Sequence, residues 1–333
     1  MSNPNKLEIG SCLGIIGSRS LQSEVLSLNS PRPLKLSVII LNYNGALFLR
    51  DCINSVISQN YPETEIIVVD NGSADASCEI VEREFPSVKL QRLAENYHFS
   101  GGMNRGVKAS TGDVALLLNN DTVVLEGCFE TVIDSIVRNG IDICGCGIMK
   151  ENGRRPQKSD LLYETLDFAG AALFVRRTVW EELEGIDEDF HTYFELKDFS
   201  VRALLKGHKV MVEPRGRIFH AGSATTKKMS GYALVNMSRN FPMLVLKDFR
   251  ATTAAALLLS YFASRSFIIL KLTLTGEREE ARYRLKGSAE FIRMLPQILE
   301  KRAAIQSSRL CSDREIVILR DKPFFKLGID GGI

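Results

Sequence analysis

Short apolar runs alternate along this chain with segments whose apolar residues recur at helical spacing. Ser37–Leu41 (SVIIL), Glu65–Val69 (EIIVV) and Val114–Leu118 (VALLL) are almost wholly apolar and too short for core helices. Without polar alternation, they read as strands buried on both faces of a parallel sheet. Between the first two, Leu49, Cys52, Ile53, Val56 and Ile57 follow i, i+3, i+4, i+7, i+8 spacing, an amphipathic helix that Tyr61-Pro62 closes. A helix over about Asp75–Phe85, a weaker strand at Val88–Leu90 and a helix opened by Ser100-Gly101-Gly102 complete a β-α-β-α-β-α-β order. That order predicts a parallel sheet wrapped by helices.

After Asp121 the order changes. The pattern predicts a helix over Glu126–Arg138, a strand at Ile141–Met149, a hairpin at Asn152-Gly153 and a strand at Phe168–Val175. A short helix, Arg177–Leu183, leads to the acidic loop Gly185–Phe190, then to an amphipathic helix over Glu195–Lys206 and strands at His208–Val212 and Arg217–Phe219. Tyr232–Phe249 reads as a helix, and Ala251–Leu270 is apolar apart from Arg265. That run is long enough to span a bilayer, although a mid-membrane arginine costs at least ~2.5 kcal/mol on insertion scales. Lys271, Arg278, Arg282, Arg284 and Lys286 follow it and suit an anionic membrane surface. A helical hairpin packed on the domain is the other reading, and both stay open. The resulting division is a polar, flexible extension at 1–34, an α/β domain at 35–225 and a helical region at 226–333.

Three strands end in polar clusters: Asn42-Tyr43-Asn44, Asp70-Asn71-Gly72-Ser73 and Asn119-Asn120-Asp121. In a parallel sheet these share one edge, where open α/β folds bind ligands. An aromatic ring, a carboxylate and oxygen ligands for Mg2+ or Mn2+ there suit the base, ribose and diphosphate of a nucleotide. Polar turns are the plain alternative. Gly101-Gly102 either brings backbone N–H groups to a phosphate or packs a helix closely on a strand. Gly170, Ala171 and Ala172 either leave room for a ligand or pack tightly. Glu195 and Asp198 share a helix face, and His220 becomes a ligand only with a partner across the site.

A net charge of +2 from 42 Lys+Arg and 40 Asp+Glu argues against nucleic acid as a partner. Seven cysteines, with Cys144 and Cys146 inside an apolar stretch and no zinc pattern, read as reduced, buried thiols. Cys12–Ile16 is too short an apolar patch for a signal peptide, so the expected location is cytoplasmic, at the inner face of the plasma membrane if the tail meets lipid.

SVIILNYNG, IIVVDNGSADAS, ENYHFSGGMNRG and LLLNNDT together resemble the nucleotide-binding half of the inverting family 2 glycosyltransferases, closest to rhamnosyltransferase-like members. FAGAALFVRR, GIDEDFHTYFELKDFSVR and RIFHAGS resemble the acceptor half, so the likeness runs in order from about Lys35 to Ser223. It implies a GT-A fold, a Rossmann-like mixed α/β sheet flanked by helices, and sugar transfer from a nucleotide-diphosphate-sugar donor to a glycan or lipid-linked acceptor. Tyr43 matches the aromatic on the base and Asp70 the carboxylate that meets it. Asn42, Asn44, Asn96, Gly101, Gly102, Asn104 and Asn120 fall on the same nucleotide side. Asn119 and Asp121 match the ends of the DXD-type metal motif, and His220 a histidine that completes the metal and diphosphate site. Gly170, Ala171, Asp187 and Glu188 fall on the acceptor and sugar side. The chain departs from the family at Glu195-Leu196-Lys197-Asp198, where the family reads Glu-Asp-x-Asp and places its base at the position held by Leu196. Leucine cannot take a proton, so either Glu195 or Asp198 substitutes as base, or the protein transfers poorly, or it is a degenerate member that binds a nucleotide sugar or an assembly partner without turnover.

Overall fold

The computed structural model describes residues 33–149, 160–165, 170–221 and 230–318. The runs read as strands form β1 (Leu36–Asn42), β2 (Thr64–Asp70), β3 (Lys89–Arg92) and β4 (Val114–Asn119), separated by α1 (Ala46–Ile57), α2 (Ser77–Glu84) and α3 (His98–Lys108). β1 lies between β2 and β4, parallel to both, with Asn42 opposite Asp70 and Leu41 opposite Asn119. β1 and β4 are almost wholly apolar because both their faces are covered. Val38 and Ile40 share a core with Leu49 and Ile53 of α1, while Ile39 and Val69 share one with Met103 and Val107 of α3.

The chain then forms β5 (Thr122–Val124), α4 (Cys128–Asn139), β6 (Ile143–Met149), β7 (Tyr163–Glu164), β8 (Ala172–Arg176), α5 (Arg177–Glu182), a 3-10 turn (Glu188–Phe190), α6 (Glu195–Leu205) and β9 (Val210–His220). The result is a mixed nine-stranded sheet in the order β3-β2-β1-β4-β8-β6-β9-β5, with β7 beside β9. The two strands expected around residues 208–219 are one. Against β6 the register jumps from Cys146–Glu213 to Gly147–Arg217, so Pro214–Gly216 bulge out of the ladder. A bulge is where a strand tolerates proline. The expected 152–153 hairpin, the 1–32 extension and residues 222–225 lie outside the described residues.

α7 (Gly231–Asp248), α8 (Ala251–Leu274), α9 (Arg278–Arg293), α10 (Leu295–Ser308) and α11 (Asp313–Ile318) follow. They share a core with α6, in which Phe190, Val201 and Leu205 lie with Phe241, Leu244 and Phe249. From Leu34 onward the chain is one compact unit, so the boundary expected at 225/226 does not separate one core from another. α8 buries Ala254, Leu257, Tyr261, Arg265 and Leu272 and exposes Leu259, Phe267, Leu270 and Leu274. Arg265 is turned to the protein side, over the Tyr261 ring at 5.1 Å. Among the described residues, α8 alone is long and apolar enough to cross a bilayer by length and composition.

Candidate functional site

The strand-end clusters meet as expected, but several of their side chains bind one another. Asn42 is fully buried. Its Nδ2 donates to Asp70 Oδ1 (3.1 Å) and Ser73 Oγ (3.2 Å), and its Oδ1 accepts from Asn120 Nδ2 (2.7 Å). Asn42 and Asn120 thus cross-link the ends of β1, β2 and β4. A Cβ on Gly45 would fall 1.8 Å from Asn120 Nδ2, so glycine there admits the link. Asn44, at φ 51°, accepts from the Ala74 N–H (2.8 Å). Beside it Tyr43 is 51% exposed and presents a free aromatic surface.

Asn96 and Asn104 also work within the protein. Asn71 Nδ2 donates to Asn96 Oδ1 (3.0 Å) and to the His98 carbonyl (2.9 Å), holding the loop before α3. Asn104 Nδ2 donates to the Ile186 carbonyl (2.8 Å) and Glu188 Oε1 (3.0 Å), and Arg105 pairs with Glu188 at 3.2 Å. Glu188 therefore fastens the acidic loop to α3. The phosphate-cradling reading of Gly101-Gly102 is corrected. α3 begins at His98, which puts both glycines in its second turn. A Cβ on Gly102 would lie 2.4 Å from Leu41 Cδ1, so the glycine serves close packing. The N–H groups of Phe99 and Ser100, in the first turn, donate to the His191 carbonyl at 3.1 and 3.2 Å.

Asp121 and His220 come together across β5 and β9. Thr122 pairs with His220, the Ala221 N–H donates to the Asp121 carbonyl (3.0 Å), and Asp121 Oδ1 lies 3.2 Å from His220 Nε2. Among the described residues no third His, Cys, Asp or Glu completes a metal cluster with them. A carboxylate and an imidazole fit a divalent cation that takes its other ligands from phosphate oxygens and water. Asn119 ends β4, and its N–H donates to the Ala171 carbonyl (3.0 Å), which brings Gly170-Ala171 to the same edge. Leu196 Cδ1 lies 3.7 Å from where a Gly170 Cβ would stand.

Glu195 opens α6 and is 8% exposed, and its Oε2 has no partner among the described residues. Burial, helped by the charge of Asp198 and opposed by the backbone N–H of Glu195, pushes its pKa up to about 7. Asp198 is fully buried, with Arg202 Nε at 2.8 Å and Lys247 Nζ at 2.5 Å. It cannot meet an acceptor, and its candidacy as base is withdrawn. Asp187 is likewise removed from the acceptor side: it accepts from Lys247 Nζ (2.5 Å) and Lys301 Nζ (2.6 Å). Burial opposes its ionisation, and the two lysines prevail and hold its carboxyl well below the usual range. Behind this cluster a cavity of about 370 Å³ is lined by Asp187, Arg202, Lys247 and Lys301 and by none of the strand-end residues. The sequence marks Asn240 of α7 only as part of a stretch that resembles the family 2 glycosyltransferases and gives it no role in the site. Its Nδ2 lies within hydrogen-bond reach of the carbonyls of Phe190 (2.7 Å), Thr192 (2.9 Å) and Tyr193 (2.7 Å), just before Glu195.

The fold is that of the GT-A glycosyltransferases, and residues 37–190 match the model of the Glycosyl transferase family 2. It is 31% identical over 124 residues to the uncharacterized glycosyltransferase EpsJ of Bacillus subtilis (strain 168), covering 36% of each chain. It is 34% identical over 115 residues to the uncharacterized glycosyltransferase YibD of Escherichia coli (strain K12), covering 34% of this chain and 33% of that one. The chain thus spans about a third of the length of these curated relatives. The crystal structure of S. aureus TarS 1-349 in complex with UDP-GlcNAc aligns with a TM-score of 0.60 at 19% identity, over 83% of this chain and 87% of that one. The mannosyltransferase PcManGT from Pyrobaculum calidifontis, in complex with GDP-Man and Mn2+, aligns with a TM-score of 0.55 at 15% identity, over 81% and 93%.

Proposed function

We propose that this chain transfers a sugar, with inversion, from a nucleotide-diphosphate donor to a hydroxyl of a glycan or lipid-linked acceptor. The observation that carries this reading is the meeting of Asp121 and His220 at the carboxyl-end edge of the parallel strands. Tyr43 offers its ring to the base, with Asp70 as the carboxylate at the neighbouring strand end. Asp121 and His220, with Asn119 beside them, would hold Mg2+ or Mn2+, which neutralises the leaving diphosphate when bound. Glu195 is the base: the acceptor oxygen bonds to the anomeric carbon as the bond from that carbon to the diphosphate oxygen breaks. The hydroxyl proton passes to the Glu195 carboxylate and the nucleoside diphosphate departs. A pKa of about 7 suits a base that works near neutrality. Leu196 favours a second reading, binding without turnover, because it places carbon where the family resemblance expects a carboxylate. The exposed apolar stripe of α8, next to Lys271 and Arg278, supports a peripheral contact with an anionic bilayer at the cytoplasmic face; cosedimentation with anionic but not neutral vesicles tests it.

A panel of UDP-, GDP- and dTDP-linked sugars, rhamnose among them, tests the main reading by thermal shift and by nucleoside diphosphate release in Mn2+. Release that Glu195→Gln abolishes supports it. A shift without release in the wild type selects the binding reading, and neither shift nor release refutes both.

A further inference from the structure

The backbone between the acidic loop and α6 is unusual. His191, Tyr193 and Phe194 have φ of 58°, 69° and 70°. A non-glycine residue there is strained and persists only when its surroundings fix it. The surroundings do so through the carbonyls. Those of Phe190, Thr192 and Tyr193 receive the Asn240 amide, and that of His191 receives two N–H groups from α3. Asn240 is fully buried, and its Oδ1 accepts from Arg239 Nε (2.8 Å). Arg239 in turn donates to the Phe190 carbonyl (3.1 Å) and to Asn236 Oδ1 (2.7 Å). The two N–H groups of one amide thus face three of the four carbonyls before Phe194, and Glu195 comes after Phe194 in the chain.

We infer that Asn240 is a positioning residue for the transfer step: from α7 it fixes the strained backbone that delivers the Glu195 carboxylate to the acceptor. The inference rests on the proposed role of Glu195 as base. Asn240 touches no substrate in this scheme. Its contribution is to keep Glu195 buried and aimed, with Asp198 one turn further on and Tyr193 before it as the ionisable groups that act on it. Releasing the loop admits water to Glu195, and its ionisation then moves toward that of an ordinary glutamate.

The test is the pH dependence of nucleoside diphosphate release from whichever sugar nucleotide of the panel the full-length wild type turns over fastest. The wild type should show an acid limb centred near pH 7, and Glu195→Gln should lose it. Asn240→Ala should lower kcat by about tenfold or more, keep the donor KM within about twofold, and move the limb toward lower pH. Lower kcat with an unmoved limb would mean a merely structural role and would overturn the inference, as would an unchanged kcat. Should the alanine variant fail to fold, Asn240→Gln takes its place, with the same shift expected and an unmoved limb again decisive against it. If Glu195→Gln retains the wild-type limb, the base assignment fails by itself, whatever Asn240 variants do.

Discussion

Lys247 tests whether the helical region belongs structurally to the site. It is 1% exposed and bridges Asp187 and Asp198, both at 2.5 Å. Burial works against its ammonium, and Asp198, Asp248 and Asp187 together more than offset this, so its pKa stands above the ordinary lysine value. Lys247→Met keeps most of the volume and removes the charge, leaving two buried carboxylates with less compensation. Breaking a buried pair from one side costs about 3–5 kcal/mol. With an unfolding entropy of ~2.1 cal/mol/K per residue, about 0.7 kcal/mol/K for a chain of this length, the melting temperature should fall by roughly 4–7 °C. Lys301→Met is the control. Its side chain is 40% exposed although it contacts Asp187 and Asp189, so its loss should cost about 1 kcal/mol or less. The Asp187 carboxyl is held low when folded, so its pairing stabilises above the unfolded-state pKa and fades as pH drops through the folded one. The gap between wild type and Lys247→Met should therefore be full at neutral pH and narrow in acid. Scanning calorimetry from neutral to acid pH reads this directly. A Lys247→Met protein that melts within about 1 °C of wild type, or no lower than Lys301→Met, would refute the argument.

Three further outcomes follow from the same geometry. Asp121→Ala should weaken nucleotide-diphosphate binding strongly in Mn2+ and little in EDTA, read by calorimetric titration; equal binding in Mn2+ removes Asp121 from the metal site. Leu196→Asp puts a third carboxylate beside Glu195 and Asp198 at a position only 5% exposed. It should destabilise the chain by about 1–3 kcal/mol in chemical denaturation and push the Glu195 limb to higher pH, so a faster enzyme with an unmoved limb would contradict it. A chain ending near residue 228 loses Asn240, Lys247 and Lys301 together and should fail to give a cooperative melt. A soluble, cooperatively folded fragment would refute this and show that the tail is peripheral to the fold.

Much of the nucleotide side was legible because its signals are local. Buried parallel strands lose alternation, and β1, β2 and β4 stop in turn-forming Asn or Asp, so periodicity and turn chemistry together placed most of residues 36–119, while β5 at Thr122–Val124 left no such signal. The pairing of Asp121 with His220 depended on sheet order, which no local pattern carries. Asp187 and Asp198 looked like site acids because the family resemblance set one on the acceptor side and left the other as a substitute for the missing base. Their neutralising lysines are remote, with Lys247 60 and Lys301 114 residues from Asp187. The expected membrane or hairpin character of residues 251–270 was half visible. Hydropathy gives α8 its length, and only tertiary packing decides which side Arg265 faces. Asn240 left one faint sign, the likeness of Arg239-Asn240 and Lys247 to a stretch of the same family, which says nothing of what the amide holds.

The carbonyl of His191 ties together segments that the sequence keeps 91 residues apart. On one side stands the loop that Asn71 organises at the nucleotide edge, on the other the peptide that leads into Glu195. Any displacement of Phe99 and Ser100 must either break the three hydrogen bonds at that oxygen or drag the next loop with it. The start of α3 and the peptide before Glu195 thus share one oxygen, and neither can shift alone without giving up those bonds.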